Sequence, residues 1–386
     1  MSRGKQSLLL LVALAGVASA QPARLAPGDL LSPAEHTPEV VVLTFGVGPR
    51  IFEKFGHAAI CLRDNQSPRD PVCFNYGVTN FNAGTDMVWD FLRTQQKFWV
   101  EPEAMSSTLY FYQREDRDIF EQDLALSPEQ ARAIENKLLY DVEEAHKYYV
   151  YDHFFDNCTT RIRDLVDNAT GGKLHAGADE PFSLTFREIG ESGLAEFPWV
   201  TALADFILGR QLDDTPSMWQ AMFHPEVLRA QIENKLGVAP VPIYTRHGPP
   251  FPKTGPTDRA YALAIALVFA LPLLLARRFR RLERTALIWA TSYLTLCGLV
   301  IWGLVMISSI KGVRWNEAVF VLMPIDVVLP FLSPARRQKY ARVRVAGLLL
   351  VSALVAIGIF HQPLWIPILS AIMPLAVESR TWGEPG

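Results

Sequence analysis

The chain has 386 residues, 49% of them hydrophobic and 20% charged, with a formal net charge of -3 at pH 7. This balance excludes a disordered polymer, which lacks apolar residues to bury, and a basic protein that coats nucleic acid. The apolar residues crowd into the last third as long runs separated by arginine clusters, so the sequence reads as a membrane protein with a large extramembrane part.

At the start, MSRGKQSLLLLVALAGVASA has Arg3 and Lys5, then an apolar stretch from Leu8 to Val17, then Ala18, Ser19 and Ala20. A basic head, a short apolar core and a small-residue site are the parts of a secretory signal peptide, so residues 1–20 are expected to be removed on export. Residues 21–257 then form an extracytoplasmic domain that ends in a proline-rich tether at 239–257.

Within that domain Val40 to Phe45 is a β-branched strand, and Gly56 to Arg63 with Val72 to Gly77 read as the arms of a hairpin. Pro128 to Lys147 has a helical period opened by Ser127. The fold class is α+β. Cys61 and Cys73 flank the turn-like RDNQSPRDP, and an oxidising compartment favours their pairing as a cross-strand disulfide, leaving Cys158 unpaired.

Two segments carry chemistry. In FGHAAICLR, strand alternation puts His57, Ala59 and Cys61 on one face. Pairing Cys61 with Cys73 sets Asn75 opposite Ala59 and diagonal to His57, where an amide oxygen would hold the imidazole tautomer that leaves a free basic nitrogen. A half-buried strand histidine is the plainer reading of this segment alone. In YVYDHFFDNCTTRIRDLVDNATGG, Asp156 or Asn157 supplies an N-cap, Gly171 and Gly172 close the helix, and Cys158, Ile162, Leu165 and Ala169 share a stripe. A helix start lowers a thiol's pKa, and Arg161 is expected to help. A buried structural cysteine is the alternative, but His57 and Cys158 together make a base and a nucleophile.

The segments FGHAAI, FNYG, WDFL around Trp89 and YVYDHFFDNCTTRIRDL resemble the N-terminal periplasmic domain of the Lnb family of bacterial lipoprotein N-acyltransferases, over roughly residues 40–175. The resemblance implies a circularly permuted papain-like (NlpC-type) domain in which histidine precedes cysteine. It implies a thiolate that takes the sn-2 acyl chain of a diacylglyceryl lipoprotein as a thioester and passes it to the lipoprotein's N-terminal amine, leaving a lyso-lipoprotein. On this chain Cys158 would be nucleophile and His57 base and acid, with Asn75 as orienter on the geometric ground above. Tyr76, Asp156, Asn157 and Arg161 are motif positions assigned to substrate binding, with a structural role as the alternative for them and for Arg163 and Asp164 of the same motif.

Residues 258–386 read as a polytopic helix bundle. Candidate spans lie at 260–276, 286–310, 315–332 and 345–360, with 363–377 a possible fifth. The first covers about 26 Å at the helical rise. Arg277, Arg278, Arg280, Arg281 and Arg284 follow the first span, and Arg336, Arg337, Lys339, Arg342 and Arg344 follow the third. Both loops are therefore expected in the cytoplasm and the catalytic domain in the periplasm, in a multi-pass inner-membrane protein. Glu317 and Asp326 sit in or beside apolar sequence: Arg314 is expected to neutralise Glu317 beside a belt residue, Trp315, and Asp326 is the better functional candidate.

Histidines 36, 146, 153, 175, 224, 247 and 361 show no zinc spacing, although His153 lies five residues before Cys158. No metal or other cofactor is expected, and no phosphate loop, dinucleotide fingerprint or nucleic-acid patch is evident. The expected partners are diacylglyceryl lipoproteins and membrane lipid. Three function classes follow: the acyltransferase, a papain-like hydrolase or amidase acting on cell-wall peptide or lipid amide, and a non-catalytic scaffold. Retention of both His57 and Cys158 disfavours the third, and the first two differ in whether the acyl acceptor is an amine or water.

Overall fold

The computed structural model describes residues 35–80, 85–251 and 258–380 together with Leu25 and Leu30. The expected signal peptide at 1–20 lies outside the described residues. Two compact units are present: the first is residues 1–183 with 215–251, the second 184–214 with 252–386.

The first unit is built on seven antiparallel strands, β1 Glu39–Phe45, β2 His57–Arg63, β3 Val72–Val78, β4 Lys97–Ala104, β5 Ile119–Leu124, β6 Tyr148–Val150 and β7 Val241–Tyr244. Their order across the sheet is β6-β4-β3-β2-β1-β5-β7. Its helices are α1 Thr85–Leu92, α2 Met105–Arg114, α3 Pro128–Val142, α4 Cys158–Ala169, α7 Met218–Ala221 and α8 Pro225–Leu236. Strand β1 lies inside the sheet between β2 and β5, and Val40 to Phe45 are all buried, as a run apolar but for Thr44 demands of a strand covered on both faces. On one face Val40, Val42, Ile60 and Phe74 meet Ile134 and Leu138 of α3, Ile162 and Val166 of α4, and Leu228 and Ile232 of α8. On the other, Val41, Leu43, Phe45 and Ala59 meet Met105, Leu109 and Tyr112 of α2. The sheet with its helices is the mixed α and β architecture read from the sequence.

The expected hairpin is formed by β2 and β3, with Cys61 directly opposite Cys73 and joined to it by a disulfide. Helix α3 opens with a capping box between Ser127 and Gln130 around Pro128, and stops at Val142, short of Lys147. The stretch expected to be an extended tether at 239–257 begins instead as an edge strand: Val241 to Tyr244 pair with β5. Pro242 is tolerated there because an edge position does not need its missing N–H.

The second unit holds α5 Phe186–Leu194, α6 Pro198–Ile207, α9 Asp258–Phe279, α10 Glu283–Ile307, α11 Lys311–Arg314, α12 Pro334–Ala356 and α13 Trp365–Ser379. Residues 184–214, read from sequence as part of the extracytoplasmic domain, group with this unit. Ala260–Phe279 and Glu283–Ile307 are long and apolar enough to cross a membrane, and only 22% and 28% of their apolar windows are buried by protein. Outward-facing apolar residues on this scale need a non-aqueous partner. Residues 315–332 are not one continuous helix: they form two 3-10 segments, Glu317–Phe320 and Pro324–Phe331, with Pro324 opening the second. The apolar run 345–360 is the second half of α12, which ends at Ala356, and the run 363–377 lies within α13.

Glu317 and Asp326 both have partners. Asp326 receives both Nε and Nη2 of Arg344, at 2.9 and 2.8 Å, and the Tyr340 hydroxyl at 2.6 Å. Asp326, the better functional candidate of the two acids, is thus held in a buried ion pair. Glu317 accepts the backbone N–H groups of His361 and Gln362 and pairs with Arg210 at 3.3 Å, so Arg210 rather than Arg314 neutralises it.

Candidate active site

Helix α4 begins at Cys158 because Asn157 caps it. The Asn157 Oδ1 accepts the N–H groups of Thr159 and Thr160, both at 2.9 Å, and its Nδ2 donates to the carbonyls of His153 (2.8 Å) and Phe223 (3.0 Å). Every polar atom of this buried amide is thereby used, and the first helical residue is fixed. The N–H of a first-turn residue has no partner within its helix, so that of Cys158 is free to meet a developing negative charge.

Cys158 is half-buried and hydrogen-bonds the His57 ring. Burial pushes its thiol up, but the His57 charge, the hydrogen bond to that ring, the Ala58 N–H and the Thr159 hydroxyl together bring it from 9.0 down to about 7. The Sγ to Thr159 Oγ1 distance is 3.7 Å. His57 supplies the charge that lowers the thiol. Arg161, expected to help, is clamped by Asp156 through Nε at 2.8 Å and Nη2 at 2.9 Å and lies over the Tyr149 ring at 3.8 Å.

His57 opens β2 opposite Phe45 of β1, and its ring is 6.0 Å from that of Phe45 and 6.1 Å from that of Tyr112, nearly parallel to both. Asn75 shares a strand face with Cys73 and pairs with Glu101 of β4. Among the described residues no hydrogen bond of its side chain appears, and the aromatic neighbours are what flank the imidazole. Gly77 is at φ +89, at a break in the β3–β4 register, and a Cβ there would lie 3.7 Å from that of Cys158.

Two positions assigned to the substrate serve the framework instead. Tyr76 is 1% exposed and donates to Asp141 at 2.7 Å, so no face of it is offered to a ligand. Asn157 is consumed by the cap described above. Asp156 and Arg161 are half-buried and bind each other. Arg163 donates to Asp164 and to the carbonyl of Trp219, with its guanidinium over the Trp219 ring, tying α4 to α7.

Three tyrosines surround the thiol that the sequence reading did not single out. Burial, and also the charge of Cys158, raises the phenols of Tyr112, Tyr149 and Tyr151. The Tyr149 hydroxyl is buried with no hydrogen-bond partner among the described residues, 3.8 Å from where a Cβ on Gly77 would stand. Its signal in the sequence is the YYVY alternation before the cysteine motif, which puts Tyr149 and Tyr151 on one face of an edge strand. His153 packs against Phe55, Phe154 and Phe223, and burial, with His224 nearby, lowers it to about 4, so it is neutral at pH 7. Among the described residues no three His, Cys, Asp or Glu side chains cluster as a metal site.

Compared with known proteins, residues 34–191 match the family model described as the Lnb N-terminal periplasmic domain. No curated protein and no solved structure matches the chain.

Proposed function

Residues 34–191 belong to the Lnb N-terminal periplasmic domain family, and on that premise we propose that the protein is a cysteine acyltransferase of the bacterial inner membrane. It moves the sn-2 acyl chain of a diacylglyceryl lipoprotein to the amine of that lipoprotein's N-terminal cysteine. The observation that carries this reading is the hydrogen-bonded Cys158–His57 pair at the start of α4, with a thiol lowered to about 7. The order of the parts, histidine on a strand before cysteine on a helix, is that of a circularly permuted papain-like domain.

The chemistry runs in two steps. The Cys158 thiolate attacks the ester carbonyl, and the oxyanion is met by the Cys158 N–H and by the unpartnered Tyr149 hydroxyl. The tetrahedral intermediate collapses, breaking the bond to the glycerol oxygen, which takes its proton from the His57 imidazolium; an acyl thioester and a lyso-glyceryl group remain. The α-amine then attacks the thioester, His57 receives the amine's proton, the amide forms and the thiolate departs. The free basic nitrogen this requires is present because His57 is already neutral after the first step. Splitting the transfer in this way replaces one high barrier with two lower ones.

The membrane unit suits this substrate. Its outward apolar helices would hold the protein in the bilayer where a diacylated lipoprotein resides, with the arginine-rich loops at 277–284 and 336–344 in the cytoplasm and the first unit in the periplasm. A soluble cell-wall peptidase has no use for such helices. The test is to incubate the purified protein with a synthetic diacylglyceryl lipopeptide and measure the mass of the Cys158 peptide. An acyl adduct removed by neutral hydroxylamine, together with N-acylated lyso-lipopeptide, is expected. Release of free fatty acid in place of N-acylated product would move the assignment to a thiol hydrolase.

A further inference from the structure

Helix α6 reads PWVTALADFI, and its one ionisable residue, Asp205, accepts Arg187 Nη1 at 2.9 Å. Arg187 is buried, also holds both carboxylate oxygens of Asp213, and donates to the carbonyls of Leu208 and Gly209. The charge on α6 is thus cancelled from the inner side. On its outer side Trp199 and Leu203, one turn apart, are 58% and 44% exposed.

The end of α6 is bolted to the segment that follows α10. Asn316 Nδ2 donates to the carbonyls of Phe206 (3.1 Å) and Ile207 (2.9 Å), the Gly209 N–H to Gly312, and the Arg210 N–H to Trp315. Gly209 lies so close to the Trp315 carbonyl that no Cβ fits between them. Phe206 enters the apolar core shared by α10, α12 and α13. Arginine placement puts the α9–α10 turn in the cytoplasm, so the segment after α10, and α6 with it, stands at the opposite, external end of the helices. Helix α6 also packs along α9, whose Tyr261, Ile265 and Val268 face outward, and Trp315 is itself 61% exposed.

We propose that α6 lies in the plane of the external membrane interface, with Trp199 and Leu203 inserted among the lipid headgroups and upper acyl chains. The inference rests on the membrane reading of α9 and α10. A charge-compensated helix with an aromatic and an aliphatic residue on its outer stripe has the make-up of an interfacial element, and the exposed tryptophans at positions 199 and 315 form the belt that such a depth favours. Helix α6 packs on α9, whose exposed residues Tyr261, Ile265 and Val268 are themselves apolar or aromatic, so lipid rather than a protein partner is the occupant.

The test uses the full chain with Cys158 and Cys297 replaced by serine, reconstituted in phosphatidylcholine and phosphatidylglycerol vesicles, and spin-labelled at one introduced cysteine. Leu203→Cys and Trp199→Cys report on α6, Val268→Cys on the outward face of α9, and Asp179→Cys on water. Collision with dissolved oxygen exceeding that with a water-soluble nickel chelate is expected at 199, 203 and 268, with the smaller excess on α6. A label at 199 and 203 that behaves as at 179, or that is shielded from both reagents, while 268 meets oxygen, would overturn the proposal and leave the membrane reading intact. Nickel access at 268 would overturn both.

Discussion

Cys158 is activated by one neighbour above all. Because burial alone raises its thiol, the drop to about 7 depends on His57, through charge and hydrogen bond, with smaller help from Ala58 N–H and Thr159. The sign follows directly: the thiolate predominates above about pH 7, so alkylation of Cys158 by iodoacetamide is expected to rise through that pH. In His57→Ala the midpoint should move upward past the ordinary thiol value, since burial is then poorly opposed; an unmoved midpoint would show that another group lowers it. Asn157→Ala removes a cap and leaves two buried carbonyls unpaired, which should cost about 2–3 kcal/mol in denaturant unfolding and reduce activity more than any surface change on α4. Gly77→Ala forces a side chain into the left-handed region beside Cys158, for about 1–2 kcal/mol of strain, and should lower acyl transfer even where the fold survives. The pairing of Cys158 with His57 was legible because each sits at a recognisable place in an element, a helix start and a strand start. Tyr149 was not, since three residues on an exposed edge strand give no sign of which hydroxyl will be left without a partner.

At the scale of elements, the β2–β3 hairpin was readable from its two apolar arms and the turn between them, and the pairing of Cys61 with Cys73 across that turn fixes the register found. Replacing both by serine should lower stability by about 2–3 kcal/mol, the value for closing a loop of this length, and leave thioester formation largely intact; equal loss of activity would assign the disulfide to the site. The run 315–332 was read as one continuous segment, and the structure divides it into two 3-10 segments: apolar content counts every residue alike, whereas Pro324 has no N–H with which to continue a helix. The partner of Asp326 was hidden for a different reason. Arg344 lies 18 residues away on another helix, amid a basic cluster that sequence assigns to topology alone. Asp326→Ala should destabilise the second unit by about 3–5 kcal/mol because it strands a buried guanidinium, while a paired replacement by apolar residues should recover much of that loss in a detergent unfolding assay.

At the scale of the molecule, composition alone indicated an extramembrane part joined to apolar helices, and the arginine clusters supplied an orientation. What composition missed is that residues 184–214 leave the first unit and pack with the second, because the contacts that join them to it, Asn316 to the end of α6 and Arg210 to Glu317, link segments that no local pattern connects. The central claim is that Cys158 carries an acyl chain from glycerol to an amine. Mass spectrometry of a tagged lipoprotein tests it most directly, in cells depleted of their own N-acyltransferase that express either this protein or its Cys158→Ala variant. An N-acylated, singly O-acylated N-terminal peptide should appear only with Cys158 intact. The same product from the alanine variant, or an unchanged diacylglyceryl peptide in both strains with expression verified, would contradict it.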